Sequence, residues 1–252
     1  MTRTLVDNTQ RFSGRAEYYA NYRAHYSPRA QDVLTEKLGL SADSVVADIG
    51  SGTGHSSLLF LPLAKLVYGV EPNENMRRRA ERELSGYPNF RSVAGVAEAT
   101  TLADRVADFV VAGSAFHWFD RRRSWQEFKR IGKADGHLVV LRNHAQREAS
   151  PFMRAYGDVF QRYGERRDRP NLRSALTDIF GEHGLSSLAI DNSESLDFAQ
   201  LVGRVLSYSS MPLAGHSQHE PMLADLERVF EHHQTSGIVR FAAETVVYWG
   251  KL

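Results

Sequence analysis

A buried strand that runs directly into a glycine-rich turn restricts the fold of this chain more than any other feature. Residues 45–49 read Val-Val-Ala-Asp-Ile, and residues 50–54 follow as Gly-Ser-Gly-Thr-Gly. Glycine accepts backbone conformations that a Cβ atom forbids, so a ligand can approach the main chain closely at such a turn. A helix is predicted directly after the turn, and its first N–H groups have no partner within the helix. The segment therefore predicts a strand, a ligand-binding turn and a helix in succession.

Strands and helices alternate along the first 145 residues. Strands are predicted over residues 44–49, 66–70, 90–94, 108–112 and 137–141, and helices over residues 29–38, 56–64, 75–84 and 124–131. This alternation indicates a parallel sheet that is covered on both faces. Later in the chain, helices are predicted over residues 151–163, 176–180, 198–206 and 221–233, and a strand over 187–190. One or two terminal strands, with a hairpin as one arrangement, are predicted over 238–248. We interpret the pattern as one α/β domain with a helical insertion before its last strands.

Composition argues against several other classes of protein. Lys and Arg total 31 and Asp and Glu total 30, so the chain has none of the basic excess typical of a nucleic-acid-binding domain. Cysteine is absent, which excludes disulfides, thiolate nucleophiles and Cys-ligated metal sites, and the histidines at 216, 219, 232 and 233 match no zinc spacing. Residues 1–10 are polar, and no apolar run approaches the roughly 20 residues of a membrane span. We expect a cytoplasmic protein that binds no metal, nucleic acid or membrane.

The residues around the turn discriminate between nucleotide ligands. The dinucleotide fingerprint requires a third glycine at position 55, where this chain has His55, and the phosphate-binding P-loop requires a lysine that is absent after Gly54. Asp48 would repel a pyrophosphate but suits an ammonium group. Glu71 ends the next strand, where a carboxylate can accept hydrogen bonds from both hydroxyls of a ribose. A phosphate-free nucleoside with a cationic amino-acid group, S-adenosylmethionine, meets both requirements.

The motif Asp-Ile-Gly-Ser-Gly-Thr-Gly at residues 48–54 resembles that of the class I S-adenosylmethionine-dependent methyltransferases, in their small-molecule type 11 branch, and the resemblance covers residues 45–143. It implies a Rossmann-like fold: a seven-stranded, mostly parallel sheet with its last strand antiparallel, helices on both faces and a helical cap insertion. Within a single domain, it implies an N-terminal cap segment over residues 1–28, a cofactor-binding core over 29–143, a helical lid over 144–178, and strands and helices that complete the sheet over 179–252.

The same resemblance assigns residues to S-adenosylmethionine, whose product after transfer is S-adenosylhomocysteine. The turn should line the methionine end, Glu71 should hold the ribose hydroxyls, and the residues after the third strand should meet the adenine. The family often has an aspartate at position 96, where this chain has valine, and Glu98 is the candidate that replaces it. The expected cofactor-binding residues are Tyr18, Tyr22 and Arg23 in the leader, Asp48, Gly50, Ser51, Gly52, Thr53 and Gly54 at the turn, Glu71, Pro72, Asn73 and Met76 after the second strand, Val96, Ala97 and Glu98 after the third, and Ser114 after the fourth.

Methyl transfer from a sulfonium is an in-line displacement, so alignment is the main catalytic requirement. His117 lies where the fourth strand ends and is the first candidate for a general base, and His144 is the second. The substrate pocket is expected to be lined by Phe116, Trp118, Asn143 and Tyr156. Arginines in the insertion predict a small, anionic organic acceptor, because guanidinium groups bind carboxylates and phosphates; they are Arg154, Arg162, Arg166, Arg167, Arg169 and Arg173.

Two alternatives stay open at this point. A nicotinamide-dependent oxidoreductase uses a similar fold, although its third glycine is missing here. A non-catalytic module that binds the cofactor without transferring the methyl group would show the same motif. The sequence leaves the acceptor atom, the pathway and the oligomeric state undetermined.

Overall fold

A seven-stranded sheet forms the centre of the protein in its computed structural model, which describes residues 16–165, 171–181 and 183–252. Its strands are Val45–Ile49 (β1), Leu66–Val70 (β2), Phe90–Val93 (β3), Ala107–Gly113 (β4), Gly132–Ala145 (β5), Ser186–Asp191 (β6) and Ala243–Lys251 (β9). They lie in the order β3-β2-β1-β4-β5-β9-β6. β1 to β5 are parallel, and β9 is antiparallel to both β5 and β6. This confirms the sheet predicted from the resemblance.

Helices connect the strands and form the insertion. In chain order they are Ala16–Tyr22 (α1), Ala30–Glu36 (α2), Ser57–Phe60 (α3), Glu74–Glu83 (α4), Arg121–Ile131 (α5), Pro151–Tyr163 (α6), Leu172–Phe180 (α7), Phe198–Leu206 (α8) and His219–His233 (α9). Local chemistry sets several starts: the Asn73 side chain accepts a hydrogen bond from the Met76 N–H, and Asp120 caps α5 in the same way. Within the described ranges, no helix is long and apolar enough to span a membrane.

Residues 238–248 contain two strands, within the predicted one or two, but the hairpin arrangement is wrong. Val239–Phe241 (β8) pairs with Glu194–Leu196 (β7) in a separate two-stranded sheet, whereas β9 pairs with β5 and β6. The chain passes through Ala242 from the insertion directly into the central sheet, so the two strands serve different layers. β7 was not predicted, because three residues are too few for alternation to produce a clear signal.

Apolar residues bury both faces of the sheet. Alternate residues of β5 point to opposite faces: Val139 and Leu141 belong to one apolar cluster, and Leu138 and Val140 belong to the other. α7 was expected in the lid, but Leu176 packs in the second of these clusters, against the sheet. A third cluster joins α6, α8, α9 and the small sheet. Residues before α7 share their cluster with the segment 194–241, and the lid over residues 144–178 stays a prediction.

Candidate functional site

The glycine turn at the carboxyl end of β1 leaves open space above its backbone. Gly50 and Gly52 have positive φ angles of 67° and 57°, which side chains with a Cβ rarely adopt. A Cβ on Gly50 would lie 2.8 Å from the Ala115 Cβ, so this glycine allows the turn to pack tightly against the residues after β4. A Cβ on Gly52 would meet nothing within 4 Å. The chain therefore presents a bare backbone to an unfilled space at this position.

Asp48 lies beneath the turn and is fully buried. Its Oδ2 accepts hydrogen bonds from the hydroxyls of Ser56 and Ser57, both at 2.7 Å, and its Oδ1 has no partner among the described residues. Burial raises the pKa of Asp48 to about 6, and the serine hydrogen bonds oppose this effect. In these contacts Asp48 ties the end of β1 to the start of α3. Its contact with the ammonium group of a ligand stays a prediction.

Glu71 is held in place by two backbone N–H groups. Its Oε2 accepts a hydrogen bond from the Gly52 N–H at 3.0 Å, and its Oε1 accepts one from the Asn73 N–H at 2.8 Å. Burial raises the pKa of this carboxyl, and these two hydrogen bonds oppose the rise. A carboxylate offers about four lone-pair directions, so each oxygen retains capacity for one further donor. The geometry suits a pair of neighbouring hydroxyls, as in a ribose.

The residues around the turn fit S-adenosylmethionine better than a pyrophosphate. Burial and the nearby His25 lower the pKa of His55 to about 4, so His55 is neutral at pH 7 and supplies no charge to a phosphate. Two buried carboxyl groups, Asp48 and Glu71, flank the bare backbone instead. An unpartnered oxygen on Asp48 and an open cradle at Gly52 are both compatible with a ligand that brings an ammonium group and a ribose diol. These residues would hold the two ends of the nucleoside.

The remaining expected cofactor residues lie around this edge of the sheet with different exposures. Val96 is 38% exposed, whereas Ala97 and Met76 are buried at 5% and 3%. Glu98, the candidate acceptor for the adenine amino group, already accepts a hydrogen bond from the Asp120 N–H through Oε1 at 2.7 Å. Pro72 accepts a hydrogen bond from Arg77 through its carbonyl, Ser51 is buried, and Thr53 is buried with an Oγ1 that has no partner in the described part of the chain. Their contacts with the cofactor stay predictions.

The segment after β4 separates the glycine turn from a second space. Ser114 has a positive φ of 56°, and its Oγ lies 2.9 Å from the hydroxyl of Tyr26. Phe116, His117 and Trp118 form a short 3₁₀ turn directly after it. Phe116 is 3% exposed, while His117 is exposed with its ring centroid 4.8 Å from that of Trp118. Backbone strain of the kind seen at Ser114 is concentrated at functional sites.

The second space is a cavity of about 650 Å³ that opens beside this segment. It falls within the usual range of about 300–1,000 Å³ for small-molecule sites. Its wall includes two of the four expected pocket residues, Phe116 and Asn143, and both candidate bases, His117 and His144. Arg173 of the insertion also lines it, together with Arg23 and Ser114, which were expected to bind the cofactor. Further lining residues were not predicted from the sequence, and they are Val140, Leu141, Arg142, Asn171, Leu172, Tyr208, Glu244, Val246 and Tyr248.

Three residues expected in the substrate pocket differ from that expectation in position or in hydrogen-bond partners. Tyr156 is 4% exposed in the apolar cluster of the insertion, where its ring lies 5.0 Å from that of Phe241, and it is not among the cavity residues. Trp118 does not line the cavity either. Asn143 does, but its amide donates hydrogen bonds to the carbonyls of Ala24 and His25, at 2.9 and 3.0 Å. Its position at the end of β5 predicted the location correctly and missed this partner.

Some of the arginines predicted in the insertion line the cavity and others do not. Arg162 forms an ion pair with Asp225 and Arg154 donates to the Glu148 carbonyl, and neither is among the residues that line the cavity. Arg173 lines it, and Arg166, Arg167 and Arg169 lie outside the described residues. The cation that the sequence analysis overlooked is Arg142. A charged residue directly after the apolar run 138–141 of a strand inside the sheet could have indicated it.

The expected leader residues Tyr18, Tyr22 and Arg23 differ in their surroundings. Tyr18 is 37% exposed, and Tyr22 packs against Gly203 of α8 so closely that a Cβ there would lie 2.3 Å from the tyrosine ring. The guanidinium of Arg23 lies 4.0 Å from the centre of the Tyr208 ring. Residues 1–15 of the predicted N-terminal cap segment lie outside the described range.

Comparisons with known proteins agree with this geometry. Residues 47–140 match a family model described as a methyltransferase domain. An uncharacterised methyltransferase of Schizosaccharomyces pombe is 22% identical over 91% of this chain and 92% of its own length. The uncharacterised methyltransferase YcgJ of Bacillus subtilis is 28% identical over 56% of each chain. Relatives named as methyltransferases favour that class over the nicotinamide oxidoreductases.

Solved structures show the same fold. A putative type II methyltransferase from Anaeromyxobacter dehalogenans aligns with a TM-score of 0.69 at 20% identity, over 91% of this chain and 98% of that one. The crystal structure of YcgJ aligns with a TM-score of 0.59 at 19% identity, over 89% and 98% of the two chains. The matched residues 47–140 contain the glycine turn and Glu71, so this part of the chain is a methyltransferase domain, and it is similar to the type 11 branch of the class I S-adenosylmethionine-dependent methyltransferases.

Proposed function

We propose that this enzyme transfers the methyl group of S-adenosylmethionine to a small, anionic organic molecule bound in the 650 Å³ cavity beside Ser114. The cofactor supplies a methyl group already activated by a sulfonium. The chain's own residues then have to hold two molecules in line and exclude water, which is where most of the rate acceleration of such a displacement arises. The glycine turn packs against Ala115, and Ser114 and Phe116 line the cavity, so both adjoin segment 114–116, which suits this arrangement.

The position of Arg142 carries the proposal of an anionic acceptor. β5 lies between β4 and β9, where a side chain is normally covered, yet Arg142 is exposed and lines the cavity. Within the described residues it forms no ion pair. Arg23 and Arg173 line the same space, whereas Glu244 is its one carboxylate among the described lining residues. A guanidinium in such a place favours a carboxylate or phosphate partner.

Two histidines on the cavity wall supply the proposed acid–base function. His117 follows β4 and His144 lies on β5 opposite Glu244, and both are exposed. An acceptor that must lose a proton would use one of them, and His117 is the first candidate because it neighbours the segment that separates cofactor and cavity. A carboxylate acceptor would need neither base.

The test is methyl incorporation from labelled S-adenosylmethionine into a panel of small carboxylic acids, phosphate esters and neutral analogues. We expect the accepted molecules to be anionic and Arg142→Gln to raise the KM for them about tenfold or more, the cost of one charge-assisted hydrogen bond. Arg240→Gln is the matched control, because Arg240 is an exposed strand arginine that does not line the cavity. Turnover of neutral analogues alone, or equal KM values in the two variants, would contradict the anionic acceptor.

A further inference from the structure

The segment of residues 16–27, called the leader below, lies across the carboxyl edge of the sheet. Its helix α1 has seven residues and is followed by extended chain. A helix of this length is not stable in isolation, so tertiary contacts determine where the leader lies. The residues that make those contacts therefore determine how the leader covers the site.

Four backbone carbonyls of the leader accept hydrogen bonds from side chains of the body. The Ala20 carbonyl is 3.3 Å from His55 Nε2, beside the glycine turn, and the Tyr22 carbonyl is 2.5 Å from Arg204 Nε, on α8. The carbonyls of Ala24 and His25 both bind the Asn143 amide, and His25 also accepts from Asn192 at 2.8 Å. Because the acceptors are main-chain atoms, the sequence of the leader gives no sign of them.

The Asn143 amide is held in one orientation. Its Oδ1 accepts a hydrogen bond from the Thr245 hydroxyl at 2.6 Å, and Thr245 in turn accepts one from the Ser27 N–H at 2.9 Å. This leaves the amide NH₂ facing the leader, where it makes its two bonds. Asn143 is thus a rigid connection between the end of β5 and residues 24–25.

The leader also touches both halves of the site. The His25 ring lies 4.4 Å from the His55 ring, beside the glycine turn. The Arg23 guanidinium lies over Tyr208 on the cavity wall, and the Tyr26 hydroxyl bonds to Ser114 between the two spaces. A ligand on the glycine turn would lie beneath this segment, and a change in the position of the leader would alter both spaces together.

We propose that Asn143 and Arg204 are positioning residues that fasten the leader over the bound nucleoside, with Asn192 and Thr245 supporting Asn143. The nucleoside then leaves only when these bonds open, so they set its residence time. Arg204 suits this role because it is 5% exposed and bonds at the same time to Glu194 of the insertion, at 2.6 Å. This proposal rests on the binding of the cofactor but does not depend on the identity of the acceptor.

Asn143→Asp is the test variant. It keeps an oxygen for the Thr245 hydroxyl and replaces the donor NH₂ by an oxygen that faces two carbonyls. Asn89→Asp is a close control, because the Asn89 amide also donates to two carbonyls, those of Leu61 and Ala64, both at 2.9 Å, on a part of the sheet away from the leader. Both variants lose two bonds of the same kind, so their effects on global stability should be similar.

The readouts are hydrogen exchange of residues 16–27 in the free protein and the dissociation rate of S-adenosylhomocysteine. We expect Asn143→Asp to increase both about tenfold, and Asn89→Asp to change neither. If the two variants exchange and release ligand alike, the proposal is overturned. Asn192→Asp, which alters one bond to the His25 carbonyl and a longer one to Asn143 Oδ1, gives the same comparison with a smaller effect if Asn143→Asp fails to fold.

Failure of the cofactor assignment gives a different result. In that case the wild-type protein itself would not bind S-adenosylhomocysteine. Hydrogen exchange of the leader, measured without ligand, then decides whether Asn143 fastens it: faster exchange in Asn143→Asp than in Asn89→Asp supports the fastening, and equal exchange overturns it.

Discussion

Two buried groups beside the glycine turn should make opposite contributions to the pH dependence of stability. Burial raises the pKa of Asp48 from 3.8 to about 6, so the folded protein holds this proton more tightly than the unfolded chain. The resulting stabilisation is complete below pH 4 and is lost as the pH rises through 6. Burial lowers the pKa of His55 from 6.5 to about 4, so the folded protein releases this proton more readily. Stability then rises with pH across the window from 4 to 6.5.

Each shift of about two pKa units corresponds to about 3 kcal/mol of unfolding free energy, at roughly 1.4 kcal/mol per unit. The two effects nearly cancel between pH 4 and 6 in the wild-type protein. Asp48→Asn leaves His55 alone, and relative to wild type its stability should rise by about 3 kcal/mol from pH 4 to 6.5. His55→Gln, which retains a donor for the Ala20 carbonyl, should show the opposite slope.

Urea unfolding at pH values between 4 and 7 measures these slopes, read as differences from wild type so that the other titrating groups cancel. The double variant Asp48→Asn with His55→Gln is the internal control and should follow the wild-type profile. Difference curves without slope in both single variants, or slopes of the same sign, would refute the reasoning.

Further predictions concern the turn and the cavity. Gly50→Ala should destabilise the protein by about 2 kcal/mol or more, because its Cβ would lie 2.8 Å from that of Ala115. Gly39→Ala, with a similar positive φ but nothing within 4 Å of its Cβ, should cost only about 1 kcal/mol. Denaturant unfolding compares the two variants, and equal losses of stability would contradict the packing argument. His117→Ala should lower kcat far more than it weakens binding of S-adenosylhomocysteine, and an unchanged kcat would remove His117 from the mechanism.

Elements with a strong local signal could be predicted from the sequence. The strand over residues 66–70 and the helices over 151–163 and 198–206 have the predicted bounds, because apolar period and flanking turn residues agree there. The glycine turn and Glu71 were predicted because closely spaced glycines and a strand-terminal acid have few structural uses. The antiparallel direction of the last strand came from the resemblance alone, and its partners β5 and β6 were not predicted, since no local pattern states which strands pair.

The parts that could not be predicted depend on contacts between distant segments. Tyr208 reaches the cavity from the segment directly after α8, and the Asn143 amide binds a leader more than 100 residues earlier in the chain. Asp48 was expected to bind the ligand, and the two serine hydroxyls that donate to its Oδ2 were not predicted. In each case the position along a strand gave the correct edge of the sheet, while the direction and partner of the side chain followed from tertiary packing.

The central claim is that the glycine turn and Glu71 hold a phosphate-free nucleoside. Calorimetric titration of the wild-type protein and Glu71→Gln with S-adenosylhomocysteine and with NADH tests it most directly. The account predicts that the wild-type protein binds S-adenosylhomocysteine and not NADH, and that Glu71→Gln weakens binding about tenfold or more through the loss of charged acceptors. Binding of NADH alone, or undiminished affinity of a folded Glu71→Gln for S-adenosylhomocysteine, would contradict it.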